Sequence, residues 1–308
     1  MKTPKVARAI AASFLALATA TGLAGCVTNE EDGHPATWHE LSVEQVPALA
    51  ELVPAEISST GSITIGTNPP FAPAEFKDSR GEIIGFEIDL IKATAAVLGL
   101  DVNVQQQDFT LILPAVSAGT VDVGVSGFTD TEERQVNYDF VDILSAGIQW
   151  AQRPGEDIDP TNPCGIKLAV QRGTVSDDDA AVLNETCIEE GKPEIDILRY
   201  DTSDAAATAL VLGRAQAFSA DSPITAWAVN RAGGQIELVG DIYDAADYGW
   251  PVKKGSALGP ALAAALEYLV QNGQYKEILD MWGIEDGPLD AITINGKAQS
   301  TNPAIAAN

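Results

Sequence analysis

The chain is predicted to be an α/β protein of two lobes, each a mainly parallel sheet flanked by helices. Three observations predict it. Short runs rich in Val and Ile alternate with helix-length segments, the alternation occurs twice, and an extended stretch from Phe140 to Arg153 separates the two occurrences. Strands separated by helices need crossover connections, which give parallel sheets covered on both faces.

Ile63 and Ile65 alternate as the first strand. A helix is predicted from about Phe86, with Ile88, Ile91, Ala95 and Leu98 on one face and Gly99 just past its end, where a left-handed residue terminates a helix. Val102 and Val104 make a second strand. Pro114 opens a short helix that Gly119 ends, and Val121, Val123 and Val125 make a third strand. In the second lobe the same order returns: strand Ile166 to Val170, helix Asp177 to Glu190, strand Ile195 to Leu198, helix Ser203 to Leu212 with Gly213 at its end, and strand Ala215 to Ser219. Ser222 and Pro223 supply a cap and a first-turn proline for a helix through Val229, closed by Gly233-Gly234. From Tyr248 onward there is one strand-like piece and two helices, Leu258 to Gln271 and Tyr275 to Met281, too little for a third domain and so expected to return to the first lobe. Pro251 in that piece predicts a sheet edge or a bulge. The expected boundaries are 56–150 with 247–290 for lobe 1, 151–246 for lobe 2, and 291–308 for a tail.

The 308 residues carry 18 Lys and Arg against 44 Asp and Glu, a net charge of −26. Such a chain repels nucleic acid and anionic bilayers at long range. His34 and His39 both precede the first strand, so the folded body holds neither a Ser-His-Asp triad nor a His-ligated metal. Metal binding by that pair is set against two solvated side chains on a linker, the preferred reading. At the N-terminus Lys2, Lys5 and Arg8 precede an apolar stretch from Ala9 to Leu23, which reads as a secretory signal over residues 1–25. The stretch is shorter than the ~20 residues of a spanning helix. Leu23-Ala24-Gly25-Cys26 resembles the bacterial lipobox, which implies acylation of Cys26 and anchoring at the outer face of the cytoplasmic membrane. Residues 26–55, with Pro35, Pro47 and Pro54, read as a tether with a short helix near Val43 to Leu52. In an exported chain the remaining cysteines, Cys164 and Cys187, are expected to form a disulfide. A metal or redox role would call for a C-x-x-C pair, which is absent.

Ligands of open α/β sheets sit beyond the carboxyl ends of the strands. Those ends present Thr67-Asn68-Pro69-Pro70-Phe71, Asp108-Phe109, Ser126-Gly127-Phe128-Thr129 with Arg134, Gln171-Arg172-Gly173-Thr174 and Ala220-Asp221. They offer a guanidinium, carboxylates, hydroxyls and aromatic rings, but no His or Cys to act as base or nucleophile. The same segments, with Gly85-Phe86-Glu87-Ile88-Asp89-Leu90, Leu113-Pro114-Ala115, Val121-Asp122-Val123, Ser222-Pro223 and Tyr275-Lys276 to Trp282, resemble the polar amino-acid solute-binding proteins of bacterial ABC importers in order and spacing.

The resemblance implies the type II periplasmic-binding-protein fold, a hinge between the lobes, and delivery of an amino acid to a permease and ATPase by a monomer without cofactor or metal. It implies that Arg134 grips the α-carboxylate, helped by Thr129, by backbone N–H groups around Ser126-Gly127 and by Thr174 with Ser176 at a helix start. Asp221 accepts from the α-ammonium, with Ser126 or Gly127, and Phe71 and Phe109 sandwich the side chain. Each residue also has a structural reading. Arg134 pairs with Glu133 on an exposed helix, Asp221 caps the helix of Pro223, Phe71 and Phe109 are core, and Asp177, Asp178 and Asp179 are first-turn acids favoured by the helix dipole. Asn68 stands where relatives that bind cationic amino acids often carry a carboxylate, which leans against a cationic ligand. Gln171 and Arg172 lie where side chains are distinguished, and an inward Arg172 would favour an acidic or amide ligand. The rival functions are a cyclohexadienyl-dehydratase-like enzyme on the same scaffold, which needs a general acid, and an amino-acid sensor without transport.

Overall fold

The computed structural model describes residues 33–298; the expected signal segment, Cys26 and the last part of the tail lie outside the described residues. Residues 33–54, expected to be a tether, are instead seated on the body. Thr37 Oγ1 donates to the Met281 carbonyl at 2.7 Å, Trp38 Nε1 donates to Asp89 at 2.8 Å, and Leu49 in α1 (Pro47–Ala50) is fully buried. The apolar residues here, Trp38, Leu41, Val43, Val46 and Leu49, follow no helical or strand period, yet each finds a hydrophobic neighbour. His39 faces Glu277 at 3.0 Å and the His34 ring lies 3.9 Å from that of Trp38.

After α2 (Ala55–Ser58) come β1 (Ser62–Thr67), a small hairpin of β2 (Phe76–Lys77) and β3 (Ile83–Ile84), α3 (Phe86–Val97), β4 (Asp101–Gln106), α4 (Phe109–Ala118) and β5 (Val123–Gly124). Strand β1 pairs in parallel with β4 and β5. Gly99 (φ +70°) ends α3 and Gly119 (φ +72°) ends α4, as their positions predict. Helix α4 starts at Phe109, not at Pro114. The proline sits inside it and forgoes one backbone bond, while Ile112 and Val116 bury the helix face. Strand β5 is shorter than its valines predict, because Asp122 takes the Thr64 N–H with its carboxylate at 2.7 Å in place of a regular ladder bond.

Helix α5 (Glu132–Gln135) leads into β6 (Tyr138–Gln152), followed by β7 (Lys167–Gln171), α6 (Val175–Glu189), β8 (Asp196–Tyr200), α7 (Ser203–Val211), β9 (Ala217–Asp221), α8 (Ser222–Arg231) and β10 (Glu237–Lys253). Strands β8, β7 and β9 are parallel, and β6 and β10 run antiparallel to each other between the two parallel sets, giving the order β4-β1-β5-β10-β6-β9-β7-β8. Two strands thus join the lobes. Only β6 is legible in the sequence, because residues 237–247 of β10 are mostly exposed and pass through register shifts at Val239/Tyr243 and Tyr243/Ala246. Pro251 is not at an edge, since β10 lies between β5 and β6. A register shift at Tyr248/Gly249 is close by, and β5 reaches β10 only at Val252.

The chain then returns to the first lobe as α9 (Leu258–Asn272) and α10 (Gln274–Met281), which pack on α3, and ends in a hairpin of β11 (Thr293–Ile294) and β12 (Lys297–Ala298). Cys164 and Cys187 are bridged, pinning α6 to the segment before β7. Closing a loop of 23 residues restricts the unfolded chain, a stabilisation of ~3 kcal/mol in the chain-entropy account. Replacing both cysteines by serine is expected to lower the denaturant-extrapolated unfolding free energy by about that amount; an unchanged value contradicts a structural bridge.

Candidate functional site

The cleft is made of loops that leave the carboxyl ends of β1, β5, β7 and β9. Asn68 after β1 and Gln171 at the end of β7 meet across it: Gln171 Nε2 donates to Asn68 Oδ1 at 2.8 Å, and both are buried. Asn68 is otherwise committed to its own lobe, donating Nδ2 to the Gln107 carbonyl at 3.0 Å and its N–H to Ser126 Oγ at 3.2 Å.

Arg134 sits on α5, where Thr131 caps its N–H. Nη1 donates to the Thr129 carbonyl at 2.8 Å and Nη2 to the Gly173 carbonyl at 3.4 Å, so one guanidinium touches both lobes. It lies 5.8 Å from the Phe128 ring centroid, and its acidic neighbours include Asp178 and Asp221 as well as Glu133. Gly173 precedes α6, whose cap is Thr174: Thr174 Oγ1 accepts the Asp177 N–H at 3.3 Å and donates to the Gln171 carbonyl at 2.8 Å. Ser176 Oγ in the first turn is buried without a hydrogen-bond partner. Asp177 pairs with Arg199 at 2.6 Å and accepts the Gly173 N–H at 3.0 Å, and Asp179 accepts from Tyr243 at 2.7 Å. No group of three acidic, His or Cys side chains among the described residues is arranged to hold a metal.

Asp221 ends β9 and occupies the cap position of α8, but its side chain makes no cap hydrogen bond. It turns instead toward Tyr248 of β10, whose buried hydroxyl has no well-formed hydrogen bond. Burial raises the Asp221 carboxyl to about 6, against the pull of Tyr248 and Arg134.

Phe71 and Phe109 are both buried, in different apolar clusters. Phe109 opens α4 and stacks on Phe128 with centroids 4.5 Å apart. Phe71 covers Gly127, which has φ +58° and no room for a side chain: a Cβ there would lie 2.5 Å from Phe71 Cε1 and 3.3 Å from Tyr248 Cε2. Thr129 is buried beside Tyr248, to which it is bridged. Arg172 stands apart, exposed, with Nε 3.8 Å from Asp201.

Two further acids occupy this region, neither singled out by the sequence. Glu75 is fully buried: Ser126 donates its hydroxyl to Oε1, while Oε2 has no partner. Glu87, in the first turn of α3, accepts the Gly127 N–H at 2.8 Å through Oε1 and Trp250 Nε1 at 3.3 Å through Oε2. Gly85 brings them together, because a Cβ at residue 85 would lie 2.0 Å from the Ala74 carbonyl, and only glycine lets the 73–75 segment cross the start of α3. Burial pushes Glu75 far above the usual carboxylate range, with Glu87 adding to it, and burial raises Glu87 to about 7. The Gly127 N–H, expected to face a ligand carboxylate, is therefore spent on Glu87. A signal for Glu87 does exist, since it shares a helix face with Ile91, Thr94 and Leu98 at spacings of three and four residues.

A model of the bacterial extracellular solute-binding proteins, family 3, matches residues 63–285. The arginine-binding protein ArgT of Corynebacterium glutamicum is 52% identical over 299 residues, covering 96% of this chain and 98% of that protein. An ancestral arginine-binding protein solved with arginine is similar with a TM-score of 0.67 at 32% identity, over 72% of this chain and 98% of its own. An ancestral arginine-binding protein bound to glutamine matches with a TM-score of 0.66 at 32% identity, over 73% of this chain and 99% of its own.

Carboxyls with raised pKa hold protons more tightly in the folded than in the unfolded state, so they favour folding at low pH and lose that contribution as pH rises through their folded values, about 6 for Asp221 and about 7 for Glu87. Free of ligand, the protein is expected to melt higher at about pH 5.5 than at about pH 8 in calorimetry; the reverse order contradicts this picture of the buried acids.

Proposed function

We propose a ligand and a mechanism for this chain, which belongs to the bacterial extracellular solute-binding proteins, family 3. It captures a cationic amino acid, arginine before others, and hands it to the permease of an ABC importer. One observation carries the reading. Three buried carboxyls, Glu75, Glu87 and Asp221, gather where the lobes meet, with Arg134 the cation acting on Asp221. Buried negative charge in excess of positive charge is costly unless a cation joins it. The name of the Corynebacterium glutamicum relative agrees with this charge balance. Asn68 leaned against a cationic ligand because it lacks a charge of its own, but Glu75 and Glu87 supply the charge from behind it.

Arg134 takes the α-carboxylate with the guanidinium hydrogens that Thr129 and Gly173 leave free, and the first turn of α6 adds its dipole. Asp221 takes the α-ammonium. Its freedom from capping α8 supports this role. Phe71 and Phe109 flank the side-chain stem; Thr129, Thr174, Gln171, Asn68 and Ser126 line the cleft, and Arg172 is left to the surface. Because Arg134 and Asp221 lie on opposite lobes, a bound amino acid favours the closed arrangement, and only such differential contact shifts a hinge equilibrium. The lobe boundaries of 56–150 with 247–290 and 151–246 are supported by the positions of β6 (Tyr138–Gln152) and β10 (Glu237–Lys253), the two strands that join the lobes. The lipobox ending in Cys26 supports anchoring to the outer face of the cytoplasmic membrane after signal cleavage.

A binder is favoured over a dehydratase, since the matching family model and the 52% identical relative are of binding proteins. Purified protein is expected to leave prephenate and arogenate unchanged; turnover of either overturns the reading. Truncating one partner of a buried charge pair at a binding site costs ~2–5 kcal/mol, so Arg134→Ala is expected to weaken arginine binding ~30-fold or more in calorimetry. Micromolar binding by that variant contradicts the role given to Arg134.

A further inference from the structure

The Glu75–Glu87 pair lies behind the residues expected to touch the ligand. Its surroundings present hydrogen-bond donors but no fixed cation. Glu75 Oε1 accepts from Ser126 and Glu87 accepts from Gly127 and Trp250. The charges acting on the pair are themselves acidic, Glu87 on Glu75 and Asp221 on Glu87. Strand β10 faces them with Tyr248, whose hydroxyl feels Asp221, Glu87 and Glu75. Across the cleft Arg134 reaches Asp221, and Arg134 is shared with Asp178, Glu133 and Asp130. Three buried polar atoms here have no well-formed hydrogen bond, Glu75 Oε2, the Tyr248 hydroxyl and Thr67 Oγ1, although Thr67 acts on Glu75 and Tyr248 on Asp221.

The charge count then constrains what the cleft does. Buried charge is tolerated only near balance. Without ligand, the three carboxyls balance Arg134 when two of them are protonated. Arginine brings its two cationic groups and one carboxylate, a net charge of one, and balance is restored when one proton leaves. Glutamine brings no net charge, and the protons stay.

We infer that Glu75 and Glu87 select a cationic amino acid by giving up one shared proton as the ligand's net positive charge enters the cleft. The proton passes from a carboxyl oxygen of the pair to solvent, its bonding electrons remain on the carboxylate, and no bond to the ligand forms. The proton belongs to the pair, since two acids this strongly coupled titrate together. Burial, which holds Glu87 at about 7 and Glu75 higher, keeps that proton in place near neutrality. The inference rests on the reading of a cationic ligand given above.

Proton release is measured by titrating L-arginine into the full mature chain near pH 7 in phosphate, HEPES and Tris buffers, whose ionisation enthalpies differ. The observed enthalpy should vary with buffer by an amount that corresponds to release of a large fraction of one proton. Affinity for arginine should rise with pH between about 6 and 7, by up to about tenfold per unit for one proton. L-Glutamine, where it binds, should show no such dependence. Glu75→Gln/Glu87→Gln should remove the release and flatten the pH profile, whereas Glu82→Gln, an exposed acid on the β2–β3 turn, should keep both. An arginine enthalpy independent of buffer in the wild type overturns the inference, whether or not the double variant folds. Release that persists in a folded double variant also overturns it, because the proton then comes from elsewhere. Failure of the wild type to bind arginine at any pH, with another amino acid bound instead, overturns the ligand reading itself.

Discussion

The Gly127 N–H donates to the Glu87 carboxylate at 2.8 Å while Ser126 donates its hydroxyl to Glu75, so two acids that burial works to neutralise are stitched to the loop that follows β5. Much else depends on this arrangement. It fixes the 126–127 loop, requires glycine at 127 and 85, and sets Phe71 over the loop. It also leaves the cleft with more acid than base. A protein can hold such charge only by protonating it or by meeting it with a cation.

Global acidity plays a different part. At −26 the chain is strongly anionic overall, but most of its carboxylates are solvated and screened beyond about 10 Å. In the proposed reading, selectivity inside the cleft rests on the few acids that water does not reach. The same locality explains Arg134: held between carbonyls from two loops, it is a fixed guanidinium in an acidic protein, so an anionic group finds a partner in the cleft despite the repulsive field around it.

Most of the fold is legible in the sequence because its core elements obey simple periods. Helix α3 and strands β1, β4 and β7 fall within a residue or two of where alternation and glycine stops put them. What periodicity misses is held by contacts distant in sequence. Residues 33–54 have no period of their own and are ordered by partners such as Met281 and Asp89. The first half of β10 is exposed and bulged, so it lacks the alternation that marks β6. In the cleft, residues at strand ends were within reach of sequence reasoning, and Arg134 and Asp221 do face the gap from opposite lobes. Glu75 was not, and Glu87 shows in the sequence only as an acid on an apolar helix face, because whether a carboxylate is solvated or buried depends on Gly85 allowing two distant segments to cross.

In the proposed mechanism an amino acid bridges the lobes with its carboxylate on Arg134 and its ammonium on Asp221, balancing the acids around them. A crystal structure of the arginine complex tests it most directly. The account predicts the α-carboxylate within hydrogen-bonding distance of the Arg134 guanidinium and the α-ammonium beside the Asp221 carboxylate. Arginine seated against one lobe alone, or turned so that its carboxylate faces away from Arg134, would contradict it.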